Sequence, residues 1–243
     1  MIQLDFSSDF LEKDIKKLSV IADADSFVYG LFDNQGTMVQ RASLPWDRLT
    51  SFSQYWTGKD ARVYYMSTSK AFSFSAMENR PTLNADYLLY DLWQAQNAYC
   101  LYEDKNSIDS NWEYKHVATA WAHFNHSTSD PAIWLHFKEK SITIACGTSH
   151  DFRLFNEYQI ETAEDAIYYL FATCQQALGL NIEQVTVWIS GQITVNSSFY
   201  QLLYRFIPKL HTLSSDKFTT KSEILGDHVY FDHYLNISSH ANH

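Results

Sequence analysis

The sequence predicts an α/β protein of two lobes, each a mixed β-sheet flanked by helices, and three observations carry that prediction. A plan of three short strands occurs twice, over residues 17–45 and 131–158, about 115 positions apart. That offset is far beyond the roughly 20–50-residue periods of solenoid repeats, so the repeat is a duplicated domain half. Each strand triplet is followed by an amphipathic helix and then a β-branched or aromatic strand. Finally, 46% apolar and 19% charged residues over 243 positions suit ordinary globular cores. The expected lobes are residues 1–128 and 129–243, with a cleft between them.

In the first half, strands are predicted at 19–21, 27–32 and 38–40. They are separated by Ala22-Asp23-Ala24-Asp25-Ser26 and by Asp33-Asn34-Gln35-Gly36, both rich in turn formers. Pro45 and Trp46 open a helix with Leu49, Phe52 and Trp56 on one face, and Gly58 closes it. Residues 62–66 read as the next strand. The spacing then predicts a helix over 84–96, a strand over 98–102 and a polar loop or lobe boundary over 103–111.

The second half repeats this order. Strands are predicted at 133–137, 141–145 and 152–155, and Thr162-Ala163-Glu164-Asp165 has the form of a capping box. Ile167, Leu170, Phe171, Cys174 and Leu178 recur at helical spacing, and Gly179 stops the helix. Residues 185–189 form a β-branched run suited to a buried strand, ending in Ser190-Gly191. A second helix starts near Ser197 and Ser198, with Ser198 and Gln201 at capping-box spacing, carries Leu202, Leu203, Phe206 and Ile207, and ends at Pro208.

Composition excludes some partners. A net charge of −10 repels phosphate backbones, so nucleic acid is not an expected partner. No stretch approaches the roughly 18 apolar residues of a membrane span. Residues 1–15 lack the basic start and apolar run of a secretory leader. Cys100, Cys146 and Cys174 are odd in number and widely spaced in apolar surroundings, which fits reduced thiols and a cytoplasmic protein.

Three strands, a helix, a strand and a helix, occurring twice, resemble the superfamily of sugar kinases, actins and heat-shock chaperone ATPases. More specific segments are Phe152-Arg153-Leu154-Phe155-Asn156-Glu157-Tyr158, the helix start at Thr162, Ser190-Gly191 before Tyr200-Gln201-Leu202-Leu203, and His228-Val229-Tyr230-Phe231-Asp232. Together they are similar to the bacterial family known as domain of unknown function 3822. The resemblance implies a duplicated actin-like (ribonuclease H-like) fold and a bacterial, cytoplasmic protein, and it implies no established activity.

In active members of that superfamily, each lobe offers a tight hairpin whose backbone N–H groups face the phosphates. Glycine there lets the backbone approach without a Cβ in the way. The first hairpin here, Ala22-Asp23-Ala24-Asp25-Ser26, keeps acids but has no glycine, and the second, Phe137-Lys138-Glu139-Lys140-Ser141, has none either. The whole chain holds 7 glycines where average usage gives about 17, in line with lost phosphate turns. The expectation is a non-catalytic scaffold or adaptor without a cofactor that binds an unidentified protein partner. The alternative is an ATP- and Mg-binding ATPase using Asp23 or Asp25 on the metal, with Ser190 and Gly191 at the nucleotide. Against it, Asp is favoured in hairpin turns anyway, and a strand-to-helix connection needs a small residue regardless.

Other motifs are weaker. Ser67-Thr68-Ser69-Lys70 fits S-x-x-K but follows a strand and has no companion Lys-Thr-Gly. His116, His123 and His126 share a face only if that segment is helical, and a metal needs further ligands. Neither these histidines nor His228, His233, His240 and His243 have metal-finger spacing. Glu161, Glu164 and Asp165 sit where a helix macrodipole favours acids. The aromatic stretch 111–124, with Trp112, Trp121 and Phe124, is the first choice for an interface, since Tyr and Trp anchor many of them, with burial in the core as the alternative.

Overall fold

The computed structural model describes residues 12–23, 25–68, 70, 72–76, 88–93, 98–103, 111–125, 130–148, 151–194, 196–213 and 227–240. The chain divides into two compact units. The first comprises residues 1–120, 218–222 and 233–243, and the second residues 121–217 and 223–232.

The first unit begins with β1 (Lys17–Ala22), β2 (Ser26–Phe32) and β3 (Met38–Pro45), then α1 (Leu49–Trp56) and β4 (Arg62–Ser67). In β1, Leu18 and Val20 point to one face and Ser19 and Ile21 to the other, as the two-residue period of a strand requires. Leu18 and Val20 join a core with Phe27, Tyr29, Phe52, Trp56 and Tyr65. Leu49, Phe52, Ser53 and Trp56 form the buried stripe of α1. Phe52 packs edge-on against Phe27 with ring centroids 5.2 Å apart, and burying each such ring stabilises by about 1.5–3 kcal/mol.

Between β4 and β8 (Glu113–His116) the chain forms a separate three-stranded antiparallel sheet. Its strands are β5 (Phe72–Ala76), β6 (Leu88–Trp93) and β7 (Ala98–Glu103), in the order β5-β7-β6. The helix predicted over 84–96 is therefore corrected: residues 88–93 are a strand. Leu88, Leu89, Leu92 and Trp93 suit helical spacing, but six residues are too few to decide by period, and pairing with β7 decides it. The rest of that predicted helix lies outside the described residues. α2 (Val117–Asn125) follows β8.

The second unit repeats the plan with β9 (Ala132–Phe137), β10 (Ser141–Thr148), β11 (Asp151–Gln159), α3 (Ala163–Thr173) and β12 (Thr186–Gly191). It continues with α4 (Ser198–Phe206) and β13 (Leu210–Thr212); α5 (Phe231–His240) comes last in the chain, and its residues from His233 on belong to the first unit. The capping box of α3 forms as predicted: Thr162 Oγ1 accepts from the Asp165 N–H, and the Asp165 carboxylate accepts from the Thr162 N–H. The helix continues as a π-turn over Cys174–Leu178 and stops at Gly179, whose φ is +67°. Arg153 donates to the Ala177 carbonyl at 3.2 Å, satisfying part of that terminus. α4 is capped one residue earlier than predicted, by Ser197, whose Oγ accepts from the Tyr200 N–H.

The two main sheets have the same order, β3-β2-β1-β4-β8 and β11-β10-β9-β12-β13. In each, the first three strands are antiparallel and the last two run parallel to the first. The hairpin turns match as well: Asp23 N–H donates to Ser26 O and Lys138 N–H to Ser141 O, both at 2.9 Å. The copies differ after the fourth strand, where the first inserts β5 to β7 and the second inserts α4. α2 and α5 occupy equivalent places, each following the last strand of its sheet.

Candidate functional site

Asp23 and Asp25 sit on the β1–β2 turn, and both are exposed. The Asp23 carbonyl accepts from the Trp46 indole N–H at 3.2 Å, tying the hairpin to the 3-10 turn Trp46–Arg48 that leads into α1. At the matching turn of the second unit, the Glu157 carboxylate accepts from the Lys138 ammonium at 2.5 Å and from the Ser141 hydroxyl at 3.2 Å. Carboxylates thus stand at both turns.

Ser190 and Gly191 are brought beside the second turn, because β12 runs parallel to β9 and pairs Ser190 with His136 and Gly191 with Phe137. In α/β sheets, ligands bind outside the carboxyl ends of parallel strands, which is the position of this edge. Its residues are closely packed. Gly191 has φ +85°, and a Cβ there would lie 2.1 Å from the Phe137 carbonyl oxygen. The Gln192 N–H donates to that same oxygen at 2.8 Å. The glycine is required by the approach of the β9 backbone.

Ser190 is fully buried, and its Oγ is hydrogen-bonded to His136 Nδ1 at 3.0 Å. His136 Nε2 lies 4.0 Å from Asp232 Oδ2, at the start of α5. Serine, histidine and aspartate therefore stand in a row, a grouping that sequence inspection misses. Alternation along β9 sets His136 opposite Ile133, Leu135 and Phe137, but nothing in the sequence gives the β9–β12 register that pairs it with Ser190. A nucleophilic serine must meet its substrate and bond the imidazole nitrogen that carries its proton away. Here the hydroxyl is inaccessible, so the row anchors buried structure. The short turn Asp227–Tyr230 packs over this edge, with His228 Nε2 hydrogen-bonded to the Ile193 carbonyl at 2.8 Å.

The remaining sequence candidates fall elsewhere. Ser67 is buried as the last residue of β4, Thr68 Oγ1 donates to the Ala22 carbonyl at 2.7 Å, and Lys70 is exposed. Ser69, His126 and His243 lie outside the described residues. His116 ends β8 instead of lying in a helix, and its Nδ1 accepts from the Ala118 N–H at 3.1 Å. Among the described residues, no three His, Cys, Asp or Glu side chains come together as metal ligands. No described helix is long and apolar enough to cross a membrane. Of the two readings of Trp112, Trp121 and Phe124, the interface is corrected and the core holds: all three are buried. Among the described residues, exposed large apolar side chains are instead Tyr168 on α3 and Tyr204 and Phe206 on α4, the two tyrosines at 68% and 63% exposure. Burial pushes the Cys146 thiol up to about 12, helped by the Cys174 nearby, and burial pushes Cys174 itself up to about 11.

Comparison with protein families matches residues 77–210, more than half of the chain, to the family described as protein of unknown function (DUF3822). Comparison with curated proteins yields no match. Among solved structures, a Bacteroides thetaiotaomicron protein with actin-like ATPase fold and unknown function aligns with a TM-score of 0.62 at 15% identity, covering 88% of this chain and 96% of that one. The PilM-PilN type IV pilus biogenesis complex aligns with a TM-score of 0.52 at 9% identity, covering 93% of this chain and 99% of that one. At these identities the likeness shows the fold: actin-like, duplicated.

Proposed function

The chain belongs to the DUF3822 family of proteins of unknown function, and within it we propose that this member is a non-catalytic scaffold or adaptor that holds a protein partner. The observation that carries the proposal is the pair of hairpin turns. Both keep the closing hydrogen bond, neither has glycine, and Glu157 holds the Lys138 ammonium and the Ser141 hydroxyl of the second. A phosphate cradle needs inward-facing N–H groups approached without a Cβ, and a carboxylate beside it opposes the phosphate charge. The residues present do not fit a triphosphate. PilM, of the same fold, is found in complex with PilN, which supports the use of this architecture to hold a protein.

The alternative reading is Mg-ATP binding, with Asp23 or Asp25 on the metal and Ser190 and Gly191 at the nucleotide. It draws on the register that sets Ser190 and Gly191 beside the second turn. One measurement separates the two. A ligand that binds only the native state raises the melting temperature by mass action. An unchanged melting temperature in millimolar Mg-ATP is the expected result. A rise of several degrees that disappears in Asp23→Asn and Asp25→Asn would replace the scaffold by a nucleotide-binding protein.

A further inference from the structure

We infer that α5 is held by two proton-operated latches, so that its anchorage tightens as two buried histidines take up protons. At the start of the helix, Asp232 Oδ2 lies 4.0 Å from His136 Nε2, and at its end His240 Nδ1 lies 3.6 Å from Glu113 Oε2. The first pair lies within the second unit and the other within the first. Both separations exceed hydrogen-bond length, so a neutral imidazole gains little from the carboxylate. A proton turns each contact into an ion pair. The helix macrodipole acts in the same sense at both ends, favouring the Asp232 carboxylate in the first turn and an imidazolium at His240 in the last.

Surrounding groups set the conditions. Against His136 stand the Ser190 hydroxyl from β12 and the Trp121 ring from α2, centroids 6.4 Å apart, while Lys138, in the turn just after its strand, is paired with Glu157. Against His240 stands the Tyr64 ring from β4 at 5.1 Å, whose hydroxyl is hydrogen-bonded by Arg62. Arg62 and Lys115 of β8 are cations on that side, and the Lys115 ammonium donates to the Ser239 carbonyl at 2.6 Å. His233, between the two latches, lies against the Ser19 hydroxyl at 2.9 Å and beside Gly30, so it provides an internal comparison.

The test is amide hydrogen exchange of the full chain at pH 8.0 and 5.5, corrected for intrinsic rates. Peptides from α5 should gain roughly threefold to tenfold protection at the lower pH, the range expected for a charged histidine at a helix terminus. Asp232→Asn should remove the gain from the first turn and Glu113→Gln from the last, while α3, which carries no histidine, should not change. Equal α5 protection at the two pH values overturns the inference. So does protection lost on acidification, or a gain that survives both substitutions. If either variant fails to fold, wild-type imidazole proton resonances decide: His136 and His240 titrating above the ordinary imidazole midpoint near pH 6.5 support the latches, and titration below it overturns them.

Discussion

Gly191→Ala measures how much of this edge is held by close backbone approach, and Gly179→Ala supplies the reference. Both glycines have left-handed φ, +85° and +67°, so alanine at either position costs about 1–2 kcal/mol in backbone conformation. The surroundings differ. A Cβ at Gly179 meets nothing within 4 Å, whereas at Gly191 it lies 2.1 Å from the Phe137 carbonyl oxygen and 2.7 Å from the Phe137 nitrogen. Those are main-chain atoms of β9, which cannot swing aside like a side-chain tip. The strand must shift by about 1 Å, an overpacking cost of roughly 1–3 kcal/mol. The shift also strains the 2.8 Å bond from the Gln192 N–H to that oxygen, worth about 1 kcal/mol. Gly191→Ala should therefore lose roughly 3–6 kcal/mol and Gly179→Ala about 1–2. Urea titrations followed by tryptophan fluorescence read the difference as a shift in midpoint at equal slope. Variants equal within about 1 kcal/mol would refute the packing argument and reopen Gly191 as a position kept for a ligand.

Four further outcomes are expected. Thr162→Ala should cost about 1 kcal/mol by removing the α3 cap, measured by the same titrations. Asp165, held below the usual carboxylate range by the Glu161 and Thr162 N–H groups, stabilises the fold above its unfolded titration range and loses that contribution as pH falls through its folded one. Asp165→Asn should accordingly flatten the acid limb of stability below about pH 4, and an unchanged limb would contradict the cap. Cys146 and Cys174, at about 12 and 11, hold thiolate fractions near 10⁻⁴ and 10⁻³ at pH 8, so a disulfide reagent should label them only after urea is added. Trp121→Ala should destabilise by about 3–5 kcal/mol through the cavity it leaves, seen by thermal melting, whereas a surface anchor would lose binding and keep its melting temperature.

The sequence of three strands, a helix and a fourth strand in each half was legible because it rests on hydrophobic alternation and turn chemistry, which are local, whereas β8 and β13, which complete the two sheets, went unpredicted. Leu18 and Val20 on one face of β1 and the Thr162–Asp165 box before α3 are visible in a window of a few residues. What failed depended on partners remote in sequence. Residues 88–93 became a strand because β7 lies beside them, and Trp112 and Trp121 became core because of what packs over them. Of the Ser190–His136–Asp232 row, the sequence offered only the small residue at a strand end.

The two copies also show which features a duplicated fold keeps. Ala22 and Phe137 end the equivalent strands β1 and β9, and each offers a carbonyl just before its hairpin turn. In the first unit the Thr68 hydroxyl donates to it, and in the second the Gln192 N–H does, with Gly191 making room for the closer backbone. A buried carbonyl must be paired, but the pairing need not be made by the same group. The hairpins obey the same logic: each keeps the hydrogen bond that closes the turn and the pairing of its strands, since losing either would expose backbone groups. Glycine at the turn contributes nothing to that pairing. It is needed only where a ligand approaches closely, so side-chain-bearing residues such as Asp25 and Glu139 cost the sheet itself nothing.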